Sequence, residues 1–329
     1  MPRVLELLKK RMLEIIVAEI IVCTIAGWLN HGLFMALKAS LPAAIFAMIF
    51  QPMYALDVSA LRRRGLAARL KFLALVLLMY CVVFPAATYL LIVAWRLALP
   101  PTTYIILVGA VLVALAPVAM PAPAFVSMCG GDVELSVLSI LVTFFASFIV
   151  MPGYALLLLH RVVRVPAALL LKSLAMYIVA PFIIGQVLRL LVLHRAGGGV
   201  VGLEAYERVN RVLAAASLIG LYWLVGVVFG VSAPILLRNI VLTVAGVAIL
   251  YVYFGSRFLI AGILGRASGL ERRARIALVY AATGNGALGT AIALATFGPA
   301  ATTGAVLAGP LVLITLMILA ARLLSRSKY

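Results

Sequence analysis

Charge is what this 329-residue chain has least of: 11% of its residues are Asp, Glu, Lys or Arg, with only 9 acids among them. Water-soluble domains carry about a quarter. Three histidines and three cysteines are scattered along the chain, His31, His160 and His194, and Cys23, Cys81 and Cys129. Their spacing supplies no metal-ligand pattern, no disulfide framework and no nucleophile with its base. A catalytic residue is therefore not expected, nor is a bound cofactor. A membrane-embedded lipid-modifying enzyme would want His, Asp or Glu clustered near one interface, and these residues are separated by whole apolar stretches. No ATP-binding loop is recognisable.

What is present is apolar sequence, 66% of the chain. A membrane-crossing helix needs about 20 such residues, and ten stretches qualify: 12–29, 33–54, 69–95, 103–128, 133–159, 167–193, 212–231, 235–260, 274–297 and 300–324. The expected fold is an all-α integral membrane protein with the lipid bilayer as its solvent. The first stretch follows Arg3, Lys9, Lys10 and Arg11 as a signal peptide would, but Glu14 and Glu19 interrupt it, and it is expected to be a mature helix. The formal charge of +18 would suggest nucleic acid in a soluble protein. Here topology explains it, and no nucleic acid partner is expected. With the N-terminus inside, 21 of the 27 Lys and Arg fall on the cytoplasmic side, which places both termini in the cytoplasm of a multi-pass cell-membrane protein. That count includes Arg62, Arg63 and Arg64 after the second stretch and Arg257, Arg266, Arg272, Arg273 and Arg275 after the eighth.

Two stretches break in mid-span. The fourth carries Pro117, Pro121 and Pro123; the ninth carries Thr283-Gly284-Asn285-Gly286, with Gly289 beyond. Proline removes a helix hydrogen bond and frees the carbonyl four residues earlier, here Val113, Pro117 and Ala119. Residues 117–123 are expected to unwind, with a new half-helix from about Pro123. Broken backbone survives within a bilayer only where protein or a watery cavity lines it, and breaks at matching positions in two halves point to a transporter's binding site. Five stretches per half, 1–162 and 163–329, make the halves an inverted repeat, because an odd number of crossings reverses entry. Kinked helices or tight glycine packing are the plainer alternatives for these segments. As a site, the segments offer backbone dipoles, and Asn285 can donate as well as accept.

Glu19, inside the first stretch, is a candidate proton carrier, since acids deep in a span are rarely idle; a first stretch that starts later or faces water is the alternative. Gln51 and Gln186 suit helix–helix hydrogen bonding. Asp132 and Glu134 suit the first turn of the fifth helix, where acids complement the dipole.

Gly131-Asp132-Val133-Glu134-Leu135-Ser136-Val137, preceded by Ala116-Pro117, resembles the bile acid:sodium symporter superfamily, which includes the arsenite exporters. Pro52-Met53 with Asp57 resembles the end of that family's second span, and Thr283-Gly284-Asn285 through Ala295 resembles its ninth. The resemblance implies ten spans in two inverted repeats, a core and a panel domain, and alternating access of one against the other. Spans four and nine would cross at their unwound centres in the core. It implies a small organic anion as substrate, with sodium or protons as possible coupling ions, or metalloid efflux as in the arsenite exporters. Ser136 matches a family sodium ligand, and Asn285 is retained. The chain departs from the symporters at Ala122-Pro123, where they carry Ser-Asn, and at Tyr280 and Gly284, where they carry Glu and Gln. It departs from the exporters at Val118, where they carry a cysteine; Cys129 lies farther along. Substrate contacts are expected at Pro117, Pro121, Pro123, Thr283, Gly284, Asn285 and Gly286, and ion-coupling contacts at Glu19, Ser136 and Asn285. Oligomeric state leaves no mark in the sequence.

Overall fold

The computed structural model describes residues 11–56, 66–160, 163, 166–195, 199–238 and 240–326. Asp57, Arg62, Arg63 and Arg64 lie outside the described residues, as do Gly197 and Gly198. Among the described residues all regular structure is helical. In chain order the helices are α1 (Met12–Leu29), α2 (His31–Ala55), α3 (Arg69–Ala98), α4 (Tyr104–Leu115), α5 (Ala122–Met128) and α6 (Val133–Leu159). There follow α7 (Ala167–Arg195), α8 (Gly199–Arg238), α9 (Ile240–Ala267), α10 (Arg272–Tyr280), α11 (Gly286–Phe297) and α12 (Pro299–Ser325). Seven of these described helices are long and apolar enough to cross a membrane. The chain is thus an all-α, multi-pass membrane protein.

The chain forms two compact units, and each draws on both sequence halves. The first comprises Met1–Asp57 with Ala168–Arg238; the second comprises Val58–Ala167 with Asn239–Tyr329. The first unit contains α1, α2, α8 and nearly all of α7. The second contains both broken stretches, together with α3, α6, α9 and α12.

In the first unit, α8 differs from expectation. The segment 194–211, left between the sixth and seventh apolar stretches as a connection, is helical from Gly199, and the helix continues through Pro234 to Arg238, 40 residues in all. Glu204 and Arg208, and Glu207 and Arg211, are four apart with the acid first, the order that supports a helix. This extension packs rather than dangles. Tyr206 stacks on Tyr54 at 5.2 Å, and Asn210 accepts from Gln51 Nε2 at 2.9 Å. Gln186 donates to the Met53 and Leu56 carbonyls at 2.8 and 2.9 Å, at the C-terminal end of α2. Both glutamines therefore serve helix–helix contacts.

Two prolines within these helices free carbonyls that find a side chain on a neighbour. Pro52 frees Met48, whose oxygen accepts from Ser217 at 3.0 Å. Pro85 frees Cys81, whose oxygen accepts from the Tyr154 hydroxyl at 2.8 Å, and the turn before it widens to a π-helix at Met79–Val83. A carbonyl in a bilayer interior has no water to turn to, so the partner carries its full desolvation cost. Replacing Tyr154 with Phe is expected to destabilise the protein by about 1–3 kcal/mol, read as a lower thermal midpoint of the detergent-purified protein. An unchanged midpoint would show that this carbonyl needs no partner.

Candidate functional site: the crossing of two broken helices

The fourth stretch breaks where its prolines dictate. Helix α4 ends at Leu115, residues 116–121 are not helical, and α5 begins at Ala122. The break is therefore shorter than the expected 117–123. Pro121 caps α5 and Pro123 sits in its first turn, positions where a missing N–H costs nothing. In the ninth stretch α10 ends at Tyr280, and α11 begins at Gly286 behind its N-cap, Asn285.

The two breaks meet. Ala119 N–H donates to Thr283 Oγ1 at 3.2 Å, while the same hydroxyl donates to the Tyr280 carbonyl at 2.7 Å. Val118 N–H donates to Thr143 Oγ1 of α6 at 3.2 Å. Gly284 lies against the Val113 carbonyl so closely that a side chain there would overlap it, and a Cβ on Gly289 would come within 2.7 Å of Val113 Cα. Glycine at these positions is what lets the two chains cross.

Two of the three freed carbonyls are not left bare, which corrects the expectation for Val113 and Ala119. Val113 O accepts from Ala116 N at 3.3 Å, and Ala119 O from Ala122 N at 3.0 Å. The last carbonyls of α4 are taken by side chains: Leu115 O accepts from the Tyr80 hydroxyl at 2.9 Å, and Ala114 O from Arg257 Nη1 at 2.9 Å. Arg257 belongs to α9 and is fully buried, so it is not the loop charge counted after the eighth stretch. Without it the Lys and Arg asymmetry along the sequence persists.

The expected site residues divide accordingly. Pro117, Thr283, Gly284 and Asn285 are buried at the crossing, Gly286 and Pro123 are half-buried at the starts of their half-helices, and Pro121 is exposed. Asn285 Oδ1 accepts from Leu288 N at 3.1 Å, completing the cap of α11; its Nδ2 donates to no described residue. Ser136 is buried on the α6 face that carries Thr143, seven residues away and thus about 10 Å along the helix. Asp132 caps α6, accepting from Leu135 N at 3.0 Å, and Glu134 pairs with Arg69 at 2.8 Å, so both acids act structurally. Glu19 belongs to the first unit. Its carboxylate rests against Gly226 of α8, with Cys23 beside it, and Oε2 is buried with no described partner.

Arg257, Tyr80 and Thr143 went unnoticed among the expected site residues. The signal for Arg257 was available, since a guanidinium twenty-odd residues into an apolar stretch is conspicuous. For Thr143 and Tyr80 no such signal exists.

Thr283→Val is expected to leave the Ala119 N–H buried and unpaired, lowering stability by about 1–3 kcal/mol, while Thr283→Ser largely preserves it. Gly284→Val should prevent the crossing and abolish folded protein in size-exclusion chromatography. A folded, monodisperse Gly284→Val variant would contradict the close approach.

A search of curated proteins returns no match. The family model described as the Sodium Bile acid symporter family matches residues 42–239, a region that includes the first break and stops before the second. With more than half its length covered by that match and two broken helices crossing in one unit, the chain belongs to the sodium bile acid symporter family of membrane transporters.

Proposed function

We propose that the protein is a secondary transporter of a small organic anion, working by alternating access with its two compact units as the moving bodies. The observation that carries the reading is the charge inside the second unit. Its interior holds a fully buried cation, Arg257, and the positive N-terminal end of α11 behind Asn285. Its described acids, Asp132, Glu134 and Glu271, are all at least partly exposed. An interior of that sign favours a negative cargo. The crossing is the binding region in this reading, with Asn285 Nδ2 and the α11 backbone N–H groups as donors and Thr283, Gly284, Gly286, Pro117, Pro121 and Pro123 shaping it.

Metalloid efflux is less well supported. Cys129 Sγ lies 3.6 Å from the Tyr280 hydroxyl and 3.8 Å from the Ala321 carbonyl, at the far end of α5 from the crossing. For a membrane-embedded enzyme, no group of three His, Cys, Asp or Glu side chains comes together among the described residues.

For coupling, Glu19 supports protons. Its Oε2 is buried without a described partner, and Gly226 supplies the room for its carboxylate. Ser136, the candidate sodium ligand, sits about two turns from the crossing.

A thermal-shift screen of carboxylates, sulfonates and organic phosphates against arsenite and antimonite tests the cargo class, with hits confirmed by uptake into proteoliposomes. An organic anion is expected to stabilise the protein and to be taken up. Asn285→Ala is expected to reduce that uptake about tenfold at equal expression. Stabilisation by metalloids alone would reject the organic anion. Uptake by the unaltered protein should follow external pH and that by Glu19→Gln should not; identical profiles would remove Glu19 from coupling.

A further inference from the structure

A half-helix that ends within a membrane presents carbonyls and the negative end of its dipole, and in transporters such ends commonly hold the coupling cation. In this protein the end of α4 is already taken. Arg257 comes across from α9, and Nη1 donates to the Ala114 carbonyl at 2.9 Å. The next carbonyl, Leu115 O, takes the Tyr80 hydroxyl. Aromatic rings hold the guanidinium: the Phe84 ring lies 4.0 Å from its carbon, Phe254 5.6 Å and Tyr253 5.9 Å. Tyr253 is itself fixed by Thr88 at 2.7 Å, and Thr88 by the Phe84 carbonyl at 2.7 Å.

Among the described residues no carboxylate pairs with this charge. Nε and Nη2 have no described partner, and the side chain is fully buried. A guanidinium remains protonated in proteins, so the charge is permanent. An unpaired buried cation is costly to keep, and an ordinary structural arginine would be matched by an acid. Here the compensation comes from π-faces, the Tyr253 hydroxyl 3.5 Å from Nη1 and a helix end, which are the groups that would suit a bound metal cation or ammonium.

We propose that Arg257 is a built-in cation that takes the place of a coupling sodium ion at the broken centre of α4 and α5. The inference rests on the transporter reading and deepens it by naming the source of positive charge. A symporter borrows that charge from solution in each cycle. This chain carries it covalently, so its core remains electropositive with or without sodium and needs no ion there to receive an anion. The unused Nε and Nη2 donors keep the charge available to the interior rather than cancelled within it.

The test uses full-length purified protein, with thermal midpoints measured in NaCl, KCl and choline chloride at equal ionic strength. The unaltered protein is expected to show the same midpoint in all three. Arg257→Ser removes the resident charge and opens its place. In that variant sodium should stabilise saturably, by about 3 °C at ten times its Kd, with potassium and choline ineffective. Arg257→Lys keeps the charge and should remain indifferent to sodium, a difference that a purely structural arginine would not produce. A saturable sodium-specific shift in the unaltered protein would overturn the proposal. So would a folded Arg257→Ser that ignores sodium. If Arg257→Ser does not fold, radioactive sodium binding to the unaltered and Arg257→Lys proteins decides: binding by either overturns the proposal, and binding by neither supports it. These measurements need no cargo, so failure of the organic-anion screen leaves them interpretable, and a sodium-binding result leaves the cargo class standing.

Discussion

Backbone hydrogen bonding without water is the constraint on which the second unit depends. Breaking one apolar helix in a bilayer exposes several N–H and C=O groups to a medium that can pair none of them. Two breaks placed against each other make the problem solvable. The Thr283 hydroxyl meets it from both sides, donating to the carbonyl of its own half-helix and accepting the Ala119 N–H of the other. Thr143 accepts the adjacent Val118 N–H, and Tyr80 and Arg257 donate to the Leu115 and Ala114 carbonyls. Remove the contact and each break reverts to a cluster of buried, unmatched dipoles. The crossing is thus a mutual requirement.

That requirement explains the composition around it. Side chains cannot occupy the space through which two main chains pass, so Gly284 and Gly289 press on Val113, and Gly286 lies against Gly309. The threonine hydroxyls that complete the network are short, Thr143 on α6 and Thr283 in the second break, and each is held by its own hydrogen bond to a carbonyl. Ser139 and Thr143 each bond a carbonyl four residues back along α6, which fixes the donor and leaves the oxygen facing inward. A longer amide would lose more conformational freedom in the same position.

Much of this was legible in the sequence, and the gaps have physical causes. Pro117, Pro121 and Pro123 announced the first break because proline lacks the donor a helix needs, and the run Thr283-Gly284-Asn285-Gly286 announced the second. The sequence could not show who would satisfy the freed carbonyls, because Arg257 is 143 residues from Ala114 in the chain and Tyr80 is 35 from Leu115. Hence Val113 and Ala119 were expected to be open, although short turns close them. The connection expected at 194–211 failed for a different reason. Its three glycines and charged run suggest a loop, but spaced Glu and Arg pairs and the Tyr206 and Asn210 contacts make residues 199–211 a helix. Arg257 was misplaced by counting every arginine near a helix end as topological.

Arg257 also changes what the interior can do. A helix end with bare carbonyls attracts cations and repels anions. The same end covered by a guanidinium has its sign reversed, and the region beyond it becomes attractive to a negative group. Aromatic faces make this possible where a carboxylate would have cancelled the effect: they stabilise the cation through a quadrupole, which falls off quickly and adds no net charge. Phe84, Tyr253 and Phe254 therefore hold Arg257 in place without neutralising it. Placed beside the crossing by its bond to Ala114, the charge would act on the proposed anionic cargo through the low-dielectric interior, where an unscreened interaction is far stronger than in water. One apolar-looking helix thus gives the second unit both the cap that its broken neighbour needs and a buried positive charge.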